Sequence, residues 1–224
     1  VASRTRRIFA EFLGTLLLTA VVIGSGIAAV RLSPGNLGLE ITENALATAL
    51  GLFVIILVLS PISGAHLNPL ISVVDAALGR WAWIDALSYI PAQGVGCCAG
   101  ALVANLMFGR APISISTNDR LSPAHFLSEV IATAGLVLVV FVLARTGNSR
   151  FTAAAVGSYI GAAFLFTSST SFANPAITVA RMFSNSLAGI APGSVLGFVG
   201  AQLLGSAIGL ALVIALTPNG NAQR

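Results

Sequence analysis

Lysine is missing from this sequence, and charge of either sign is scarce. Its 224 residues include eleven basic side chains, all arginine, and seven acidic ones, so 8% of the chain is charged. Soluble domains average about 25% charged residues. A chain this poor in charge does not clothe a water-facing surface, and an integral membrane protein is expected. Period-2 alternation of apolar and polar residues is also lacking, which argues against a transmembrane β-barrel. The only cysteines, Cys97 and Cys98, are adjacent. Helical neighbours point about 100° apart, too divergent for a structural disulfide. Both are expected to act as small buried apolar residues. Two separated histidines and seven carboxylates assemble neither a metal-ligand cluster nor a nucleophile–base pair. No enzyme activity, metal or cofactor is expected. The arginines stand mostly singly between apolar runs, which speaks for membrane topology and against a nucleic-acid surface.

What the sequence has instead is long apolar runs, rich in Leu, Val, Ala and Gly, that bring it to 56% hydrophobic residues. A membrane helix needs about 20 such residues. Six spans meet this, at roughly 8–30, 41–60, 84–108, 125–145, 152–169 and 194–216. Breakers separate them: Ser33-Pro34-Gly35-Asn36, Arg110-Ala111-Pro112 through Ser122-Pro123, and Arg145-Thr146-Gly147-Asn148. The first run follows Arg4-Thr5-Arg6-Arg7 and continues to Val30 without a small-x-small boundary, so it reads as a membrane helix and not a cleaved signal. Trp81 and Trp83 suit an interfacial belt, and His125 an interfacial helix start.

Two apolar runs are too short to cross. Each begins at Asn-Pro: Asn68-Pro69 runs on to Leu78 before Gly79, and Asn174-Pro175 to about Ser184. Ten helical residues rise about 15 Å, half a bilayer core. Half-length segments at matching places in two halves point to a re-entrant pair around a central site. The halves do match. Glu11 and Glu129 lie early in their first helices, and Ala92-Gln93 and Ala201-Gln202 lie in their last. A single domain, 1–224, is expected, with repeats at about 1–110 and 121–224. Three spans per half require the second repeat to be inverted. With both termini cytoplasmic, Arg4, Arg6, Arg7, Arg80, Arg145, Arg150 and Arg224 lie inside, and Arg31, Arg110, Arg120 and Arg181 outside. The positive-inside bias favours that orientation.

Proline suits the first turn of a helix, and Asn before it caps the helix with N–H donors to spare. Two half-helices meeting from opposite sides bring two amides and two positive dipole ends together. Such a point donates hydrogen bonds to a passing oxygen and repels cations. Irregular backbone before each Asn is tolerated in a bilayer where it lines a wet cavity. Donors at the middle with carbonyl acceptors on either side describe a pore for small neutral solutes. Gly64, Ala65, His66, Thr170, Phe172 and Ala173 are its expected loop lining, and Asn68 and Asn174 its central donors.

Ser63-Gly64-Ala65-His66-Leu67-Asn68-Pro69 together with Asn174-Pro175-Ala176 resembles the two signature loops of the major intrinsic proteins, the aquaporins and aquaglyceroporins. The resemblance spans nearly the whole chain. It implies an all-α membrane fold of six tilted helices and two half-helices, one pore per subunit and a homotetramer in the lipid bilayer. It also implies that Glu11 and Glu129 hold the loops before each Asn. Two departures stand out. The first triplet is Asn68-Pro69-Leu70, with Leu for the usual Ala. Where most of the family has an arginine after the second triplet, this chain has Ile177. Spacing carries the other constriction positions onto Thr48, Ala162 and Ser171; a shift of one gives Ala47 or Gly161, also small. A filter of Thr48, Ala162, Ser171 and Ile177 is small, ringless and uncharged. It implies passage of water and of larger neutral solutes such as glycerol or arsenous acid, As(OH)3. The same change resembles the microbial branch found beside arsenic-detoxification genes, and a bacterial inner (plasma) membrane is expected. Asp75 and Arg181, each seven residues after its Asn, are candidates for the two vestibules, or for ties to neighbouring loops. A secondary transporter built on inverted repeats and a strictly water-selective channel stand as the alternatives.

Overall fold

The computed structural model describes residues 2–217, all helix and loop with no strand among them. The order is α1 (Arg4–Leu32), α2 (Leu37–Ser63), α3 (Pro69–Ala77), α4 (Trp83–Met107), α5 (Pro123–Arg145), α6 (Thr152–Phe166), α7 (Pro175–Ala180) and α8 (Pro192–Leu216). Single turns of 3-10 helix, Ser149–Phe151 and Arg181–Phe183, precede α6 and follow α7. Arg224, counted above toward the cytoplasmic side, lies outside the described residues.

Five helices are long and apolar enough to cross a membrane. The sixth expected span, α6, has 15 residues, against 27 in its counterpart α2, and ends at Phe166 rather than 169. Several helices begin before the apolar runs do, because polar side chains cap them. Ser3 accepts from the Arg6 N–H, Asn36 from Leu39 and Ser122 from His125. The two short helices start as the sequence predicts, with Asn68 and Asn174 as caps and Pro69 and Pro175 at the first position. Helix α3 closes in a Schellman turn. The Arg80 N–H donates to the Asp75 carbonyl at 3.1 Å, and Gly79 takes φ +70°.

The main helix contacts are α1 with α4 and α5 with α8. Glycines make both possible at the same spacing from a buried glutamine. Gly96 and Gly100 follow Gln93, and Gly205 and Gly209 follow Gln202. A Cβ at these sites would run into the carbonyl oxygens of Phe12, Leu16, Val130 and Ala134, respectively. This is close packing of small residues, the main source of helix association in lipid. Gly100→Val is therefore expected to lose about 1–3 kcal/mol or more, seen as a lower Tm and a smaller monodisperse fraction in detergent. Gly200→Val, where a Cβ meets nothing within 4 Å, should leave both unchanged. Equal behaviour of the two variants would refute this packing role.

Cys97 is fully buried and Cys98 partly so, and both are free thiols. On the face where α7 ends, residues 108–122 cross over the segment that follows it. Ser114 and Ser116 donate to the Phe183 and Met182 carbonyls at 3.0 and 2.8 Å.

Candidate functional site

The loops entering the two short helices share one backbone path, 106 positions apart. Gly64, Ala65 and Leu67 have φ of 88°, 49° and 53°; Thr170, Ser171 and Ala173 have 60°, 47° and 48°. Five of these six are not glycine. Such residues in the left-handed region cost about 1 kcal/mol or more each, so the surroundings must hold them.

Glu11 and Glu129 do this. Glu11 accepts from the His66 N–H at 3.0 Å, the Leu67 N–H at 2.7 Å, the Ser63 hydroxyl at 2.6 Å and the Gln93 amide at 2.8 Å. Glu129 accepts from Phe172 at 2.8 Å, Ala173 at 2.9 Å, Ser169 at 2.6 Å and Gln202 at 2.7 Å. Both carboxylates are fully buried. The glutamines also reach the short helices: Gln93 donates to Ser72 at 3.1 Å and Gln202 to Thr178 at 2.9 Å. The matched Ala-Gln pairs had signalled repetition in the sequence; this tethering work had no signal of its own.

With N–H groups turned to the carboxylates, the two signature asparagines meet. Asn68 Nδ2 donates to the Ala173 carbonyl and Asn174 Nδ2 to the Leu67 carbonyl, each at 2.8 Å. Their Oδ1 atoms accept from Leu70 at 3.0 Å and Ala176 at 3.0 Å. An Asn amide carries two N–H donors, and these contacts use one. The second is left for a third party.

That party's space is a cavity of about 350 Å³, large enough for small polar solutes, lined by both asparagines. One side of its wall is polar: Gly64, Ala65, His66, Ser171, Phe172 and Ala173 from the two loops, with Thr48 from α2. The other side, built from α1, α2, α5 and α6, is apolar apart from Ser60 and Thr152. Those apolar residues were missed in the sequence because a pore-facing Leu or Ile there resembles a core residue. Thr48 Oγ1 and Ser171 Oγ are buried without a hydrogen-bond partner among the described residues, and both line the cavity.

Two expectations need correction. Ala162 is exposed and stands outside the cavity wall, where Thr152, Val156, Ile160 and Phe164 present the inner face of α6. A ringless constriction does not follow, since Phe164 is 4% exposed and lines the cavity. Counting back from Asn174 fails because the left-handed loop between them does not keep helical phase. Trp81 is the second case. It is not a simple belt residue: it lines the cavity mouth, 5.3 Å from the His66 ring, while Trp83 is 52% exposed.

Charged groups stand at both mouths. At one, His66 Nε2 lies 3.0 Å from Asp75 and Nδ1 3.0 Å from Ser72, and Arg80 pairs with Asp75 at 2.9 Å. Asp75 therefore lines the cavity and also ties its helix to the loop after it. At the other mouth, Ile177 and Arg181 line the cavity one turn apart on the same face of α7 and its extension. Arg181 Nε donates to the Ala188 carbonyl, and its Cζ sits 3.3 Å from the Phe172 ring centroid. A second chamber of about 220 Å³ lies beyond, bordered by Asn44 and by Thr170, which was expected along the pore loop but lines this chamber and not the cavity that holds the asparagines. Phe164 and Arg181 line both chambers and so stand at their boundary.

Comparison with known proteins agrees with this architecture. Residues 1–173 match the family profile for MIP, major intrinsic protein. The chain is 46% identical over 213 residues to the aquaglyceroporin AqpS of Rhizobium meliloti (strain 1021), covering 93% of this chain and 89% of that one. It is 36% identical over 135 residues to the probable aquaporin NIP7-1 of Arabidopsis thaliana, 60% of this chain and 48% of that one. In fold it is similar to the X-ray structure of the aquaglyceroporin from Plasmodium falciparum, with a TM-score of 0.77 at 21% identity over 98% of this chain and 99% of that chain.

Proposed function

Because this chain belongs to the major intrinsic protein family, whose members are membrane channels for small neutral solutes, we propose that its cavity passes water together with larger neutral solutes such as glycerol and As(OH)3. The supporting observation is the single cavity that passes both asparagines and carries unpartnered hydroxyls at Thr48 and Ser171. Solute oxygens meet donors at Asn68, Asn174, Thr48 and Ser171, and loop carbonyls accept from the solute. The mostly apolar opposite wall offers water few other partners, so a single file exchanges hydrogen bonds mainly along the loop side. In this reading the selective stretch consists of Thr48, Ser171, Ile177 and Phe164, with Arg181 at its rim as a fixed positive charge against cations.

The chain acts as one domain of two inverted repeats, about 1–110 and 121–224. Arginine placement supports an orientation with both termini in the cytoplasm, the His66 mouth inside and the Arg181 mouth outside. A homotetramer in a bacterial inner membrane completes the reading, and cross-linking in native membranes tests the oligomer. Stopped-flow permeability of proteoliposomes to water, glycerol, urea and As(OH)3 tests the solute range. Low activation energies with no saturation and no proton coupling are expected. Passage of water alone would overturn it.

The central donors carry a separate prediction. Asn68→Asp or Asn174→Asp replaces two N–H donors with a carboxylate. It loses the cross-loop bond and puts negative charge beside the short-helix starts. Measurable cation conductance is expected in planar bilayers, with glycerol flux lowered severalfold. Unchanged flux without ion leak in both variants would remove the asparagines from the pathway.

A further inference from the structure

Among the described residues, the second chamber is lined by two guanidinium groups and by no carboxylate. Arg181 is 2% exposed. Its Nε is engaged by the Ala188 carbonyl, and its terminal amino groups make no hydrogen bond among the described residues. Arg120 comes from the long loop before α5. Its Nε donates to the Gly189 carbonyl at 2.7 Å and one terminal nitrogen to the Leu187 carbonyl at 2.6 Å. Three successive carbonyls, 187 to 189, thus hold two arginines side by side. Both lie over Phe172, with Cζ atoms 3.3 and 5.5 Å from the ring centroid.

Neither arginine has a salt-bridge partner among the described residues, whereas Arg4, Arg7 and Arg80 do. The acids on neighbouring segments make their hydrogen bonds to other groups. Glu129 is saturated by the loop and Gln202. Asp119 accepts from Ser194 at 2.6 Å and from the Leu121 N–H at 3.1 Å. On α2, Glu40 accepts from Gly35 and one oxygen of Glu43 accepts from Ser33 in the preceding loop, the other Glu43 oxygen having no partner among the described residues; neither side chain lines the chamber. Two like charges this close repel, and carbonyl dipoles, one aromatic face and the through-space charge of a single carboxylate, Glu129, offset that only in part. A small anion would complete the arrangement. The chamber is roomy enough for one, and Asn44 and Ser168 add polar atoms to its wall.

We propose that Arg120 and Arg181 form a binding site for a small monovalent carboxylate at the boundary between the cavity and the second chamber. A planar carboxylate matches the donor fork of a guanidinium. Arg181 stands at the boundary of both chambers, so the bound anion partly occludes the pore. The inference goes beyond the neutral-solute reading, and its binding arm does not depend on conduction.

The test uses formate at neutral pH, against chloride at equal ionic strength. In lipid-free detergent, formate is expected to raise the Tm saturably, as a ligand of the folded state does, with half-saturation in the millimolar range. Arg120→Gln and Arg181→Gln should each weaken that response at least tenfold. In proteoliposomes of the wild-type protein, the same formate concentrations should lower glycerol flux along the same saturation curve. A Tm response that chloride matches, or that both variants retain, overturns the site. If neither variant folds, the wild-type measurements decide alone: a linear, non-saturating Tm response or flux insensitive to formate refutes the proposal.

Discussion

Glu129→Ala is expected to yield little folded protein and no solute flux. The carboxylate accepts four hydrogen bonds, two from backbone N–H groups of a loop whose residues sit at positive φ. Removing it leaves those donors buried and unpartnered, at about 1–3 kcal/mol each. It also frees the loop to relax out of its left-handed turns. Together these losses reach several kcal/mol, comparable with the whole stability of about 5–15 kcal/mol of a typical domain. Glu129→Gln keeps one acceptor oxygen but turns an NH2 toward groups that are themselves donors. It should fold in part and conduct poorly. Glu11→Ala should behave like Glu129→Ala, since its contacts are the same in kind and number. Tm in detergent and stopped-flow glycerol permeability measure both effects. An alanine variant with wild-type Tm and flux would show that the loops hold their shape without the carboxylates.

The second large effect is selective. Ile177 lines the cavity, is 5% exposed, and its N–H donates to Asn174 Oδ1 at 3.3 Å. Ile177→Arg adds a long cationic side chain one turn from Arg181, in the cavity that Thr48 and Ser171 line; the one carboxylate lining it among the described residues, Asp75, is at the other mouth. The new group narrows the passage and adds donors that favour the smallest solute. Glycerol and As(OH)3 fluxes are expected to fall at least tenfold and water flux only a few-fold. Ile177→Val should change none of them. Fluxes lowered in equal proportion would mean that position 177 supports folding and does not select.

Much of this was readable in the sequence because it rests on local chemistry. The charge scarcity and six apolar runs define a membrane protein whatever the packing. An Asn cap followed by Pro starts a helix in any context, and both short helices begin where that pair stands. Glu11 and Glu129 stand out because a carboxylate in an apolar run must find a partner, while the matched Gln93 and Gln202 marked only the repeat.

Other features depend on where distant segments come to rest. Ala162 and Phe164 are two residues apart on one helix, and which of them meets the cavity is set by the rotation of α6 against α2 and α5. Spacing from Asn174 could not supply that rotation, because it counted through a loop of left-handed residues. Trp81 could have been a belt residue until α3 and its turn carried it against His66. Arg181 is a lone cation in the sequence; the Phe172 ring and the Ala188 carbonyl that hold it, and Arg120 beside it, come from separate loops. Sequence by itself determined which segments cross, which turn back halfway, and which polar groups need company, since these follow from the energetics of each segment in lipid. Only the tertiary structure decided which faces enclose the pore and which charges share its mouth, since those are distances between parts of the chain with no local code for one another.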